Sequence, residues 1–426
     1  LYHLLAVPLR GDEAFAALYW AGLPLRDSLS TIIAIEPFPP LNYVTHRIWG
    51  VLFGIDSPFA LRMLPVLGNV VGIAVLYALG KRLGGKQLGL LAAFLWAIHP
   101  NQIWHAQDVR PYALWATLSG LSLWLGLRLI ARRRRLDWVL YGLITTITAL
   151  YFYTELFFIG TLGLYVLLTN WRHNRRFVLQ FLGLQAIAIV AAMLSYIIFQ
   201  GSLVGSSAYD GNISALDPTL YLTWFLPAFT IGDTLPQSVL MWVWPLLIAG
   251  FVGATILLWR WKKATGLLLG MLALIPPIAL GVVSLKVRVF HPRYVLGAEA
   301  AFILIFAAGI VIIGQRKKWA GLLVIGIWVF AAGISLWHYH NDPAFKKSVD
   351  WPTLAHYLQE NTTNNDFIIQ QSIDAAFGYY YQRAGIQAED TGLPTSSSQP
   401  EDEIIQTLEK AYAQYHSIWV IARPYP

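Results

Sequence analysis

The sequence predicts an all-α polytopic membrane protein of about eleven transmembrane helices, the first truncated, followed by a small extracytoplasmic α/β domain. Three observations carry this. Of 426 residues, 57% are hydrophobic and only 12% charged, about half the charge of a soluble domain. Ten apolar stretches approach the length of about 20 residues that crosses the hydrocarbon layer. They cover residues 58–80, 87–104, 111–130, 138–153, 154–170, 177–199, 238–258, 264–285, 294–314 and 319–337. Finally, alternate connections between them are basic. Such a composition also excludes disorder, which needs few apolar residues and many charges. With no cysteine, thiol nucleophiles, disulfide scaffolds and thiolate zinc sites are excluded.

The elements follow in chain order. Residues 1–9 (LYHLLAVPL) read as the end of an earlier helix and lack the basic leader and cleavage site of a signal peptide. Residues 10–57 form a first outer loop, in which 12–25 and 40–54 are amphipathic enough to lie along the interface. Trp20, Tyr43 and Trp49 are their expected anchors. The ten stretches come next, with the boundary between the fourth and fifth placed near Thr154. Five connections, beginning at Lys81, Arg132, Arg172, Arg260 and Arg316, hold 16 basic residues and one acid, Asp137. Positive residues stay on the cytoplasmic side, so the net charge of +7 reads as a topology signal and not as a nucleic-acid patch. Residues 10–57, 200–237 and everything after Trp337 are thereby sent outward.

The chain divides into a transmembrane domain over 1–340 and an extracytoplasmic domain over 341–426, where Asn, Gln, Asp, Glu and Ser become frequent. Residues 350–360 predict a helix with Asp350 as its N-cap and Pro352 in its first turn. A strand is expected at 367–370, a helix at 375–383 and a second strand at 417–421, a pattern that stops mid-way at Pro426.

Formal charge is scarce in the apolar stretches: Arg62, Arg128, Glu155 and Glu299. The first three lie near span ends, where long side chains reach the interface. Glu299 lies deeper and needs a partner, which is expected to be Arg288 or Arg293. Polar chemistry concentrates instead in four outer clusters: Arg10–Glu13, Glu36–Tyr43 with Pro40, His99–Tyr112 with Asp108 and Arg110, and Lys286–Tyr294 with Arg288, His291 and Arg293. Carboxylates at that depth can serve as general base or metal ligand, and arginines can clamp a phosphate. Each cluster also has a plainer reading. Acids favour helix N-termini, Pro39-Pro40 can start a helix, and single arginines at span ends are commonly interfacial anchors. Four clusters on one side, with nothing comparable inside the bilayer, favour a shared site.

These residues resemble the GT-C glycosyltransferases of the protein-mannosyltransferase and aminoarabinose-transferase type (family 39 and its bacterial and archaeal relatives). The likeness lies in the order of an Asp-Glu pair (Asp12, Glu13), a Pro-Pro-Leu-x-Tyr run (Pro39 to Tyr43) and an acid-x-Arg-x-Tyr run (Asp108, Arg110, Tyr112). A late Arg-Tyr (Arg293, Tyr294) and an Asp-Trp-x-x-x-Ala-x-x-Leu helix from Asp350 follow. The resemblance spans residues 10 to about 381. It implies an inverting glycosyltransferase that moves a sugar from a polyprenyl-phosphate carrier to an acceptor hydroxyl or amine at the outer face of the membrane.

The resemblance also implies roles. Asp12 would deprotonate the acceptor, with Glu13 and Asp108 beside it. Arg110, Tyr112, Arg288, His291, Arg293 and Tyr294 would hold the donor phosphate. Pro40, Tyr43, Glu155 and Glu299 would line the acceptor side or its loop, and Glu36 would be the position for an optional divalent metal. Two departures stand out: Phe38 replaces the histidine that many relatives have before Pro-Pro, and Tyr153-Thr154-Glu155 replaces a Thr-His-Tyr pattern. The missing histidines weigh against a metal. Expected partners are the lipid-linked donor, the bilayer and a protein, lipid or polysaccharide acceptor, in a prokaryotic cell membrane. Two other readings stand beside this one. A flippase or transporter of lipid-linked glycans needs polar residues along the spans, and a non-catalytic scaffold predicts that Asp12, Asp108, Arg110 and Arg293 do not converge.

Overall fold

The structure is a computed structural model, and the described residues are 4–36, 38–201, 219, 221–287, 289–371, 373–395 and 399–422. Residues 4–10 are turn and coil, leading into a short helix α1 (Gly11–Phe15) that continues with π-helical pitch through Ala21. Helix α2 (Pro40–Phe53) starts on Pro40, whose missing N–H costs nothing in a first turn. It ends at Gly54, whose φ of +118° favours glycine.

The helical bundle follows. Helix α3 (Pro58–Gly84) is capped by Ser57, whose hydroxyl accepts from the Ala60 N–H. It turns at Gly85 (φ +91°) into α4 (Lys86–Ala97). The stretch expected to run through 87–104 is broken: α5 (Pro100–Ala106) restarts on Pro100, because proline removes a helical hydrogen bond and clashes with the preceding turn. Helices α6 (Tyr112–Arg132), α7 (Arg135–Tyr151), α8 (Glu155–Asn170) and α9 (Arg175–Gln200) follow, with the α7–α8 break at the expected place. The second half holds α10 (Gln237–Trp261), α11 (Lys263–Ser284), α12 (Glu299–Arg316) and α13 (Lys318–Asn341). Among the described residues seven helices are long and apolar enough to cross a membrane; Lys86–Ala97 and Glu155–Asn170 are apolar but shorter. Phe330 and Leu246 are each 71% exposed, a surface suited to lipid and not to water.

Small residues let neighbouring helices touch. A Cβ on Gly80 would lie 2.8 Å from the Gly89 Cα, and one on Gly89 would lie 2.7 Å from the Tyr77 carbonyl oxygen. Helices α3 and α4 therefore pack backbone to backbone, as small residues permit in membranes. Gly80→Ala should destabilise the protein by about 1–3 kcal/mol, the usual cost of overpacking. Thermal unfolding in detergent checks this, and an unchanged midpoint would contradict the close approach.

The basic turns gather at one end of the bundle. There Arg82 donates to the Leu127 carbonyl, Lys262 to the Leu83 carbonyl, and Arg128 pairs with Asp137. At the other end sits the C-terminal module: α14 (Trp351–Asn361), β1 (Asp366–Gln370), α15 (Ala375–Ala384), β2 (Glu389–Gly392), α16 (Glu401–Gln414) and β3 (Ser417–Ile421). Asp350 caps α14 by accepting from Thr353 N–H, as expected. The sheet is parallel throughout in the order β2-β1-β3, with every residue of the central strand buried. Strand β2 and helix α16 escape the sequence reading: Glu-Asp-Thr-Gly carries no apolar alternation, and α16 is mostly exposed. The module is tied to the bundle end where α1 lies, by Leu9 N–H to the Tyr380 hydroxyl (2.9 Å) and by an Asp56–Arg383 ion pair.

Candidate active site

The site is built on α1. Arg10 is extended and Gly11 begins the helix, so Asp12 and Glu13 fall in its first turn, where acids complement unpaired N–H groups. Glu13 reaches back to accept from the Arg10 N–H at 3.2 Å. Gly11 leaves no room for a side chain, since its Cβ would lie 2.9 Å from Asp374 Oδ1 at the start of α15. The C-terminal module thus backs directly onto the turn that carries Asp12.

Of the three acids expected to be catalytic, two are closed off. Glu13 is fully buried. Its carboxylate accepts from Arg62 Nε at 2.8 Å and Nη2 at 2.7 Å, and from Val109 N–H at 3.1 Å. Arg62 is not an interfacial anchor, as its position near a span end suggests; it is 2% exposed and also donates to the carbonyls of Leu4, Val7 and Pro8. Asp108 is also fully buried and accepts both arms of the Arg10 guanidinium, at 3.0 and 2.6 Å. Burial alone would raise its pKa; Arg10 and Lys347 outweigh that and hold the carboxyl far below the carboxylate range.

Asp12 remains open, its side chain 40% exposed. Its Oδ2 lies 3.1 Å from Arg10 Nη1 and 3.6 Å from Arg293 Nη1. Arg110 donates to the Asp12 carbonyl at 3.3 Å. Against the opposing effect of burial, the guanidinium groups of Arg110, Arg10 and Arg293 keep the Asp12 carboxyl below its usual range. Arg110 also pairs with Glu36 and lies over the rings of Trp20 (4.7 Å) and Phe38 (5.0 Å). Trp20 and Tyr43 are fully buried, so they are walls of the site and not interfacial anchors. Tyr43 donates its hydroxyl to the Glu36 carbonyl, and Pro40 starts the helix that presents it.

Arg293 stands on a short 3₁₀ turn over Pro292–Ala298. The Nδ1 of His291 accepts from the Arg293 N–H at 3.1 Å, with its ring against Trp224. Burial and the nearby Arg293 keep that imidazole neutral. The Arg293 guanidinium donates to the Tyr294 hydroxyl at 3.3 Å and faces the ring of buried Tyr112 at 5.8 Å. Thr154 anchors the turn by donating to the Tyr294 carbonyl at 2.6 Å. Glu155 accepts from the Trp115 indole at 3.0 Å, inside the bundle.

Glu299 requires a correction. It is fully buried, but its partners are His99 Nδ1 and the Asn101 side-chain amide, each at 2.7 Å, and not Arg293. Helix α12 begins at Glu299 and lays its first turn against the start of α5, while Arg293 lies across a kinked turn facing Asp12. Arg288 lies outside the described residues. Glu36 stands beside Arg110, which is no metal ligand. Among the described residues no group of three His, Asp or Glu could hold a metal ion.

Sequence reasoning named Arg10 only as part of a motif and passed over Lys347. The Lys347 amine donates to the carbonyls of Trp104 (2.6 Å) and Gln107 (3.4 Å), capping the end of α5 just before Asp108. No local pattern marks it, because its partners lie about 240 residues away. Burial pushes its pKa down from 10.5 to about 8, against the opposing pull of Asp108 and Glu13. Between those two values the folded protein binds fewer protons than the unfolded chain, so this group's contribution to stability grows as pH rises. The unfolding midpoint of the wild type, relative to Lys347→Met, should therefore increase from pH 8 to 10. A flat difference would refute the depressed pKa.

Residues 38–199 match the family described as dolichyl-phosphate-mannose-protein mannosyltransferase. No curated protein matches the sequence. ArnT from Cupriavidus metallidurans in its apo crystal structure superposes with a TM-score of 0.61 at 12% identity, over 96% of this chain and 85% of that one. The same enzyme bound to undecaprenyl phosphate gives 0.61 at 15% identity, over 97% and 86%. The Archaeoglobus fulgidus oligosaccharyltransferase with zinc and sulfate gives 0.53 at 14%, over 90% of this chain and 58% of its own. The chain therefore has the GT-C fold that ArnT and the archaeal oligosaccharyltransferase share, and over residues 38–199 it is similar to the protein-mannosyltransferase family.

Proposed function

We propose that the protein is an inverting glycosyltransferase that moves a sugar from a polyprenyl-phosphate carrier to an acceptor hydroxyl or amine at the outer face of a cell membrane. The observation that carries this reading is the convergence of Asp12, Asp108, Arg110 and Arg293, drawn from three separate loops, around one open carboxylate. Among the described residues of the cluster, four guanidinium groups (Arg10, Arg62, Arg110, Arg293) face four carboxylates (Asp12, Glu13, Glu36, Asp108), and Lys347 leaves one positive charge over. A sugar phosphodiester carries one negative charge. The convergence runs against a non-catalytic scaffold. The ArnT structure with undecaprenyl phosphate supports a lipid-linked donor.

The acceptor O–H or N–H bond gives its proton to the Asp12 carboxylate, and the freed electron pair forms the new bond to the anomeric carbon. The bond from that carbon to the phosphate oxygen breaks on the opposite face, and polyprenyl phosphate leaves with the bonding pair. Charge developing on the phosphate is met by the cations Arg293 and Arg110. The alternation of basic connections supports a location of this site and the C-terminal module outside the cytoplasm. The test is incubation of the reconstituted protein with hexose- and pentose-bearing polyprenyl phosphates, followed by mass spectrometry of protein, lipid and polysaccharide acceptors. Transfer from one such donor is expected. A protein that neither transfers from any of them nor binds polyprenyl phosphate would rule the reading out.

A further inference from the structure

The three cations around Asp12 are not equally committed. Arg10 is fixed: its fork holds Asp108 at 3.0 and 2.6 Å, and leaving would strand a fully buried carboxylate. Arg110 is fixed by Glu36 and by the rings of Trp20 and Phe38. Arg293 is loose. Its Nη1 stands 3.6 Å from Asp12 Oδ2, beyond a good hydrogen bond. Among the described residues, its Nη2 holds only the Tyr294 hydroxyl and its buried Nε has no hydrogen-bond partner. A guanidinium with spare donors, loosely paired, is poised to exchange one anion for another.

We infer that Arg293 masks Asp12 in the empty site, and that the donor phosphate, by taking Arg293, unmasks the base. This rests on the reading of Asp12 as base and Arg293 as phosphate ligand. A phosphate oxygen offers Arg293 short, charge-assisted hydrogen bonds, which a contact of 3.6 Å does not match. A carboxylate among three guanidinium groups is a poor proton acceptor; with one drawn away it becomes a better one. Arg10 stays and keeps the carboxylate oriented. Among the described residues, the other charged or titratable groups coupled to Asp12 are Arg110, Asp108, Glu36 and Tyr112, and none of them needs to move. The consequence is order: the base gains strength only when a donor is present, so an empty site does not expose a strong base to water.

The test follows the Asp12 carboxyl itself. The full chain, reconstituted in nanodiscs with ¹³C-labelled aspartate carboxyls, gives a resonance assigned to Asp12 by its absence from Asp12→Asn. Its titration midpoint is measured with and without polyprenyl phosphate. The midpoint should rise by about 1 in pH or more when the lipid is added, within the range that an adjacent guanidinium imposes on an aspartate. In Arg293→Gln the midpoint of the empty protein should already sit at the raised value, and the lipid should add little. An unmoved midpoint in the wild type would overturn the inference, and so would an unmoved midpoint in empty Arg293→Gln. A lipid-induced rise of equal size in the variant would show bare repulsion between anions and would also overturn it. If the variant fails to bind the lipid, the empty-state comparison decides alone. Turnover by Asp12→Asn, measured separately, judges the base reading: an inactive variant together with an unmoved wild-type midpoint keeps the base and discards the masking.

Discussion

Asp12→Asn is expected to lower turnover by about 10²–10⁴-fold, the range over which a positioned general base contributes. The substitution keeps size and shape, and an amide oxygen can still accept from Arg10, which stands 3.1 Å away. It cannot take the acceptor's proton. In the proposed reaction Arg110 and Arg293 hold the phosphate, so the loss should fall on kcat, with the KM for donor little changed. Initial rates in proteoliposomes with a matched polyprenyl-phosphate sugar measure this, and transfer near the wild-type rate would remove Asp12 from the base role. Asp108→Asn is expected to behave differently. It breaks the bidentate grip on Arg10, so stability and rate should fall together.

Glu13→Ala is expected to cost about 3–5 kcal/mol of stability, the usual price of leaving one member of a buried ion pair alone. Arg62 would keep its bonds to the carbonyls of Leu4, Val7 and Pro8 but lose its carboxylate partner Glu13 at a site 2% exposed. The same carboxylate receives the Val109 N–H, so the loop that carries Asp108 and Arg110 would loosen as well. The double variant Glu13→Gln with Arg62→Met should recover part of the loss, because replacing both charges removes the stranded one. Unfolding in detergent compares the three proteins. A single-variant loss under about 1 kcal/mol would mean that water reaches the pair, since that is the worth of an exposed ion pair.

Much of this was legible in the residues. Apolar length marked the bundle, because the backbone in lipid must bond to itself and helices do so locally. The motifs around Asp12, Asp108 and Arg293 were named as one site because basic loops on the other side settled which connections share a face. The helix at Asp350, the central strand and the last strand of the C-terminal module showed themselves through caps and short apolar runs. Strand β2 did not, since Glu-Asp-Thr-Gly pairs through its backbone, which any sequence can do.

What the amino-acid sequence determined by itself was therefore one-dimensional: where the helices lie, which ends share a side, and which loops carry the chemistry. Only the tertiary structure decided who pairs with whom. It gave Glu299 to His99 and Asn101, gave Arg62 to Glu13, turned Trp20 and Tyr43 inward, and closed two of three acids so that Asp12 alone stays open. The reason is physical. Apolar length and helical period are properties of neighbours along the chain, whereas an ion pair depends on distances between side chains from segments remote in sequence. Those distances are fixed only when the helices pack.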